Sequence, residues 1–143
     1  MTTRIQIVEA ARGWLGTPFQ HQARVRGVGS DCIGLVIGVG KELGLVNPSL
    51  DISDYSRYPD GKSLVAGAKE HMEEVLREDM HIGDMVVVAF DREPQHVGIV
   101  ADYAYGSYSI IHAALSHHKV VEHRLLFGKR MRFVAAFKFK GID

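Results

Sequence analysis

With 143 residues, 46% apolar and 24% charged, the chain has the size and composition of one globular domain, residues 1–143, built on one core. Its 17 basic and 17 acidic side chains cancel, which excludes the basic footprint of a nucleic-acid-binding protein. A single cysteine excludes an internal disulfide and a cysteine-based zinc site, and no apolar run approaches the roughly 20 residues needed to span a membrane.

The first residues, Met1 to Gln6, lack the apolar core of a signal peptide. Synthesis in the cytoplasm, with no export address in the chain itself, is the expectation. Behind Thr2 and Thr3, residues Ile7, Val8, Ala11, Trp14 and Leu15 fall at helical spacing. They predict an amphipathic helix over residues 3–15, stopped by Gly16-Thr17-Pro18, with Trp14 as a core anchor. Residues 19–31 form a loop, longer than a minimal connector, that holds Phe19, His21, Arg24 and Arg26 and ends rich in glycine. A nearly uncharged and therefore buried helix is predicted from Cys32 to about Leu43, with Gly44 as its C-terminal cap. Its Gly34, Gly38 and Gly40 suit close packing against a sheet. They do not suit phosphate binding, because the Walker lysine pattern is absent.

Residues 45–61 read as an irregular segment. Residues 62–78 read as a second amphipathic helix, with Leu64, Val65, Ala68, Met72, Val75 and Leu76 on one face. His71-Met72-Glu73-Glu74 lacks the second histidine of a zinc-protease helix. The second half is strand-like. Gly83-Asp84 makes a turn, Met85–Phe90 is a buried strand, and residues 91–95 are a loop. His96–Tyr103 and Tyr108–Leu115 are β-rich and meet near Gly106-Ser107. Lys119–His123 extends the sheet. Arg132–Lys140 alternates, with Phe133, Ala135, Phe137 and Phe139 on one face. Helices first and strands afterwards predict an α+β domain with an antiparallel sheet.

Chemistry points to Cys32. The first turn of a helix offers unpaired N–H groups and the positive end of the dipole, which favour thiolate over thiol. A thiol hydrolase also needs a base and a group that orients the base. His96 and His112 lie on adjacent predicted strands. A turn centred near Ala104 would set them directly opposite one another, with Cβ atoms about 4.5–5.5 Å apart, whereas a turn at Gly106-Ser107 would slide His112 toward Ile99. His117, His118 and His123 are expected in or near a surface loop, with no catalytic role. A metal site from His112, His117, His118 and His123 matches no strong spacing, and no metal or cofactor is expected.

In order and local context these residues resemble the NlpC/P60 family of papain-like cysteine peptidases. Asp31-Cys32-Ile33-Gly34-Leu35-Val36 is similar to the family's Asp-Cys-Ser-Gly-Leu-Val nucleophile helix. Ile82-Gly83-Asp84-Met85-Val86 is similar to its Pro-Gly-Asp-Leu-Val strand entry. His96-Val97-Gly98-Ile99-Val100 resembles the base motif, and Ile110-Ile111-His112-Ala113 the motif of the third residue. Leu15-Gly16-Thr17-Pro18-Phe19, followed by His21-Gln22-Ala23, resembles the branch carried by tailed phages and gene-transfer particles. The resemblance implies a papain-like fold with the nucleophile at a helix N-terminus. It also implies cleavage of peptidoglycan stem peptides, at the bond between γ-D-glutamate and the diamino acid. By the same resemblance Cys32 is the nucleophile, His96 the general base and acid, and His112 the orienting residue. Asp31, Phe19 and His21 are supporting or substrate-binding residues. The expected partners are the stem peptide and a phage-like tail or baseplate protein, with no nucleic acid and no membrane. The expected setting is a tail particle acting in the periplasm or cell wall. Two positions depart from the pattern. Phe19 stands where the family commonly has tyrosine, and a lost oxyanion donor can be worth about 3 kcal/mol. Ile33 replaces the usual small residue after the cysteine. The competing expectation is a structural tail or assembly component that keeps the fold without the activity.

Overall fold

A computed structural model of the chain describes residues 1–50, 61–90 and 95–142. Helix α1 spans Arg4–Arg12, α2 Cys32–Glu42 and α3 Gly61–His71. A two-residue pair, β1 (Arg24–Val25) and β2 (Gly29–Ser30), forms a small hairpin inside the loop that leads to α2. The remaining strands are β3 (Glu73–Val75), β4 (Met85–Phe90), β5 (His96–Asp102), β6 (Tyr108–Ala114), β7 (Lys119–Arg124) and β8 (Met131–Lys138). Among the described residues these six make one antiparallel sheet in the order β3-β8-β4-β5-β6-β7. The α+β architecture read from the order of elements is the architecture found. No helix among the described residues is long and apolar enough to cross a membrane.

Alternation along the strands gives the sheet two apolar faces. One face carries Val87, Val97, Ile99, Ile111, Ala113, Ala135 and Phe137 and packs under the helices, against Ile7, Trp14, Leu35 and Val39. The other gathers Val86, Val88, Val100, Ile110 and Ala136 with Met80 and Leu125. Helix α2 lies deepest. Gly38 admits Trp14, whose ring would come within 2.3 Å of a Cβ at that position.

Helix α1 begins in a capping box, Thr3 with Gln6. It ends at Arg12, so Leu15 lies beyond it and is exposed. Trp14 is buried, as expected of an anchor, and donates to Glu42 Oε1 at 3.1 Å. Arg12 ties the helix to the sheet through Glu122, with bonds of 3.1 and 2.9 Å, and Ser109 Oγ donates to the same carboxylate at 2.6 Å.

Three expectations fail for tertiary reasons. The helix predicted over 62–78 ends at His71, because Glu73–Val75 pairs with Lys138–Ala136 as an edge strand; Leu76 is exposed. Phe133 does not share a face with Ala135 and Phe137. A bulge in the β4–β8 register pairs Val87 with Ala135 but Val88 with Phe133, so the phase flips and Phe133 packs on the second face. The long loop before Cys32 is not wholly irregular, since it contains the β1–β2 hairpin. The predicted irregular segment and the loop after β4 fall largely on residues 51–60 and 91–94, outside the described residues.

Burial pushes the Glu122 carboxyl up, but hydrogen bonds from Arg12 and Ser109 outweigh it and hold its pKa below the ordinary value. A depressed carboxylate stabilises the fold above its unfolded pKa, and the contribution disappears as pH falls through the folded pKa. Arg12→Ala is therefore expected to cost about 1 kcal/mol near neutrality, as a partly exposed pair. In chemical denaturation the gap to wild type closes as pH falls below the ordinary carboxylate range. A gap that persists there would assign the loss to packing of the arginine stem.

Candidate active site

The site begins with the loop that delivers α2. Asp31 is its N-cap: Oδ1 accepts from the Gly34 N–H at 2.7 Å. Oδ2 accepts from the Gln22 N–H at 2.6 Å, which holds that residue at a φ of 60°. His21 Nδ1 lies 3.9 Å from the same oxygen. Asp31, only 3% exposed, therefore fixes both the helix start and the loop before it. Gly34 allows this approach, because a Cβ there would stand 2.1 Å from the Ala23 carbonyl oxygen.

Cys32 is the first residue of α2 and 8% exposed. Burial pushes its thiol up to about 12, and the Asp31 carboxylate adds to the rise. The backbone N–H groups of Val97, Ile33 and Cys32, which favour the thiolate, are outweighed. The expectation of a depressed thiol pKa is thus corrected: desolvation exceeds the helix-terminus effect. Val97 is the residue after His96, so the helix tip abuts the start of β5. Among the described residues no hydrogen bond joins the thiol to the His96 ring. Such contacts are often long in unliganded sites and tighten when substrate binds.

His96 and His112 do meet. His96 Nε2 lies 2.6 Å from His112 Nδ1, with ring centroids 4.8 Å apart and near-perpendicular planes. The route differs from the expected one. Ile99 pairs with Ile111, which places Gly98, not His96, opposite His112. The two histidines are diagonal neighbours on one face, and ring length spans the offset. His112 is 3% exposed.

His123, expected in or near a surface loop at the end of the Lys119–His123 strand and without a role, stands on β7, on the same sheet face as His112, with Nε2 2.7 Å from His112 Nε2. A hairpin centred between Ser116 and His117 would have revealed it, since that register puts Val121 opposite His112 and His123 two places along. His117 and His118 are exposed in the turn, as read. Among the described residues no three His, Cys, Asp or Glu side chains are grouped so as to hold a metal ion. Burial lowers His96 to about 4, helped by repulsion from His123. Burial and the neighbouring histidines also push His112 well below the ordinary imidazole value. Near neutrality the thiol and both rings are uncharged.

Phe19 is partly buried against the core cluster that contains Cys32, and its backbone N–H bonds the His118 carbonyl at 2.8 Å. Phe19 also bridges Ser30, two residues before Cys32, and lacks the hydroxyl of a tyrosine.

A buried thiol at a helix tip, set against a strand that starts with a histidine, defines the class as a papain-like fold. The NlpC/P60 family model matches residues 16–132, and the chain belongs to that family. It is similar to the NlpC/P60 domain of the peptidoglycan hydrolase SagA, at 19% identity and a TM-score of 0.63, covering 96% of this chain and 99% of that one. NlpC2 from Trichomonas vaginalis gives 14% identity and a TM-score of 0.67, over 97% of this chain and 48% of the other. An N-acetylmuramoyl-L-alanine amidase from Bacteroides uniformis gives 12% identity and 0.66, over 96% and 98%. No curated protein sequence matches the chain.

Because burial raises the Cys32 thiol, its alkylation by iodoacetamide should be slow at pH 7 and still rising at pH 10, without a plateau. Asp31→Asn removes the negative charge beside it and is expected to shift the curve to lower pH. The lost Gln22 bond should cost about 1 kcal/mol of stability. A wild-type plateau below pH 7 would show a thiolate and contradict the assignment.

Proposed function

We propose that the chain is a cysteine peptidase that cleaves peptidoglycan stem peptides at the γ-D-glutamyl–diamino acid bond. The observation that carries this reading is the meeting of the Cys32 helix tip with the start of β5, where His96 is bonded to His112 at 2.6 Å. Family membership and the SagA domain, named as part of a peptidoglycan hydrolase, support the substrate class.

The neutral pair sets the mechanism. His96 Nε2 is engaged by His112, so Nδ1 is the nitrogen that takes the thiol proton. Sγ attacks the amide carbonyl carbon as that proton moves. Negative charge develops on the carbonyl oxygen, where the Cys32 backbone N–H at the helix N-terminus is a suitable donor. The imidazolium of His96 then protonates the leaving amine, the C–N bond breaks, and a thioester to Cys32 remains. Water, deprotonated by His96, cleaves the thioester and restores the thiol. His112 holds the ring throughout.

We further propose that the enzyme works at a phage-like tail, locally opening the cell wall. The Leu15–Phe19 stretch and His21-Gln22-Ala23 support this setting through their resemblance to that branch. A second reading, a tail component without activity, draws on Phe19 and the buried thiol. Particles carrying Cys32→Ala separate the two: they lose infectivity if the peptidase is essential and keep it if the part is structural.

On a stem-peptide substrate, Cys32→Ala should abolish release of the free amine, and His96→Ala should lower kcat by about 10²–10⁴-fold. The wild-type rate should stay level across about pH 6–8 and fall on acidification toward pH 4, where His96 gains its proton. A rate that falls between pH 8 and 6 would indicate a base of ordinary imidazole pKa and contradict the neutral pair.

A further inference from the structure

We propose that His123 is a positioning residue that fixes the protonation pattern of the histidine row, and through it the nitrogen that His96 presents to the thiol. The proposal rests on the peptidase reading above.

The argument follows the hydrogen bonds from the far end. His123 Nδ1 lies 3.0 Å from the Arg124 carbonyl oxygen. A carbonyl only accepts, so Nδ1 carries the hydrogen. In a neutral imidazole the other nitrogen is then a bare acceptor. His112 Nε2, at 2.7 Å from it, must donate. His112 Nδ1 is therefore bare, and His96 Nε2, at 2.6 Å, must donate to it. This leaves His96 Nδ1 bare, which is the state a general base requires.

His96 and His112 alone would not set this pattern. Each imidazole can donate or accept at either nitrogen, so the isolated pair has two comparable arrangements. In the second arrangement His112 Nδ1 donates, His96 Nε2 accepts, and His96 Nδ1 already holds a hydrogen, so it cannot take the thiol's. The backbone carbonyl of Arg124, acting through His123, removes that arrangement. The pattern also survives the reaction. Once His96 is an imidazolium, its Nε2–H still donates to His112 Nδ1, and no bond in the row needs to reverse. The near-perpendicular rings, with centroids 4.8 and 4.7 Å apart, aim ring-edge nitrogens at one another along the row.

The test is nitrogen NMR of the histidine side chains in the resting full-length protein, together with kinetics on stem peptide. Wild type should show Nε2–H tautomers at His96 and His112 and the Nδ1–H tautomer at His123. His123→Leu, which cannot accept, should turn His112 and His96 into tautomer mixtures. It should lower kcat about 10- to 100-fold, less than the full roughly 10²–10⁴-fold value of a positioned base, while KM changes little. His123→Gln, whose amide oxygen can accept from His112, should restore the tautomers and most of kcat. His123→Asn, too short to reach, replaces His123→Leu if that variant does not fold. An Nδ1–H tautomer at His96 in wild type overturns the proposal. So does His123→Leu with unaltered tautomers, whatever its kcat. If wild type hydrolyses no stem peptide, the peptidase reading fails by itself and the tautomers alone decide the role of His123.

Discussion

The approach of α2 to its neighbours is the constraint on which the site depends. The helix carries Cys32 at its first position, and its tip can reach β5 only if the backbone before it folds back tightly. Asp31 holds that fold by accepting from both Gly34 and Gln22. Gly34 keeps the contact sterically open against the Ala23 carbonyl, and Gly38 admits Trp14 one turn further on. A side chain at Gly34 would press on backbone rather than on a flexible group, so either the loop or the helix would have to move. Clashes of this kind cost about 1–3 kcal/mol or more. The Cys32 environment is a consequence of this packing.

That packing also decides the chemistry. A helix N-terminus and a desolvated site pull a thiol in opposite directions, and here burial, together with the Asp31 charge, wins. The same burial keeps His96 and His112 neutral. In the proposed reaction a neutral thiol gives its proton to a neutral imidazole, so the outcome depends on which ring nitrogen is bare. The row running from His96 through His112 to His123 and the Arg124 carbonyl supplies a fixed polarity for that purpose. The sheet is the scaffold, since three adjacent strands each contribute one ring on the same face.

Much of this was legible in the residues. Local patterning located β4, β5, β6 and the Cys32 helix almost to the residue, and the motifs pointed to Cys32 at a helix start and to a His96–His112 contact, both of which are present. What escaped depended on long-range pairing. Glu73–Val75 looks like the last turn of a helix until β8 offers it an edge. Phe133 appears in phase with Phe137 until a bulge appears between them. The His96–His112 contact was anticipated with the wrong register, and the rings met because a diagonal pair is still within reach. His123 was missed because the turn before β7 has no strong signal, and without its register a lone strand histidine is ambiguous. The thiol pKa was misjudged because the dipole is visible in a sequence and the depth of burial is not.

The most direct test of the account uses a stem peptide in which the γ-glutamyl carbonyl is presented as an electrophilic aldehyde or chloromethyl ketone. Intact mass and peptide mapping should show one adduct, on Cys32, formed by the folded wild type and slowed severely in His96→Ala. An adduct elsewhere would contradict the placement of the reacting carbonyl between Cys32 and His96. So would labelling that does not depend on His96.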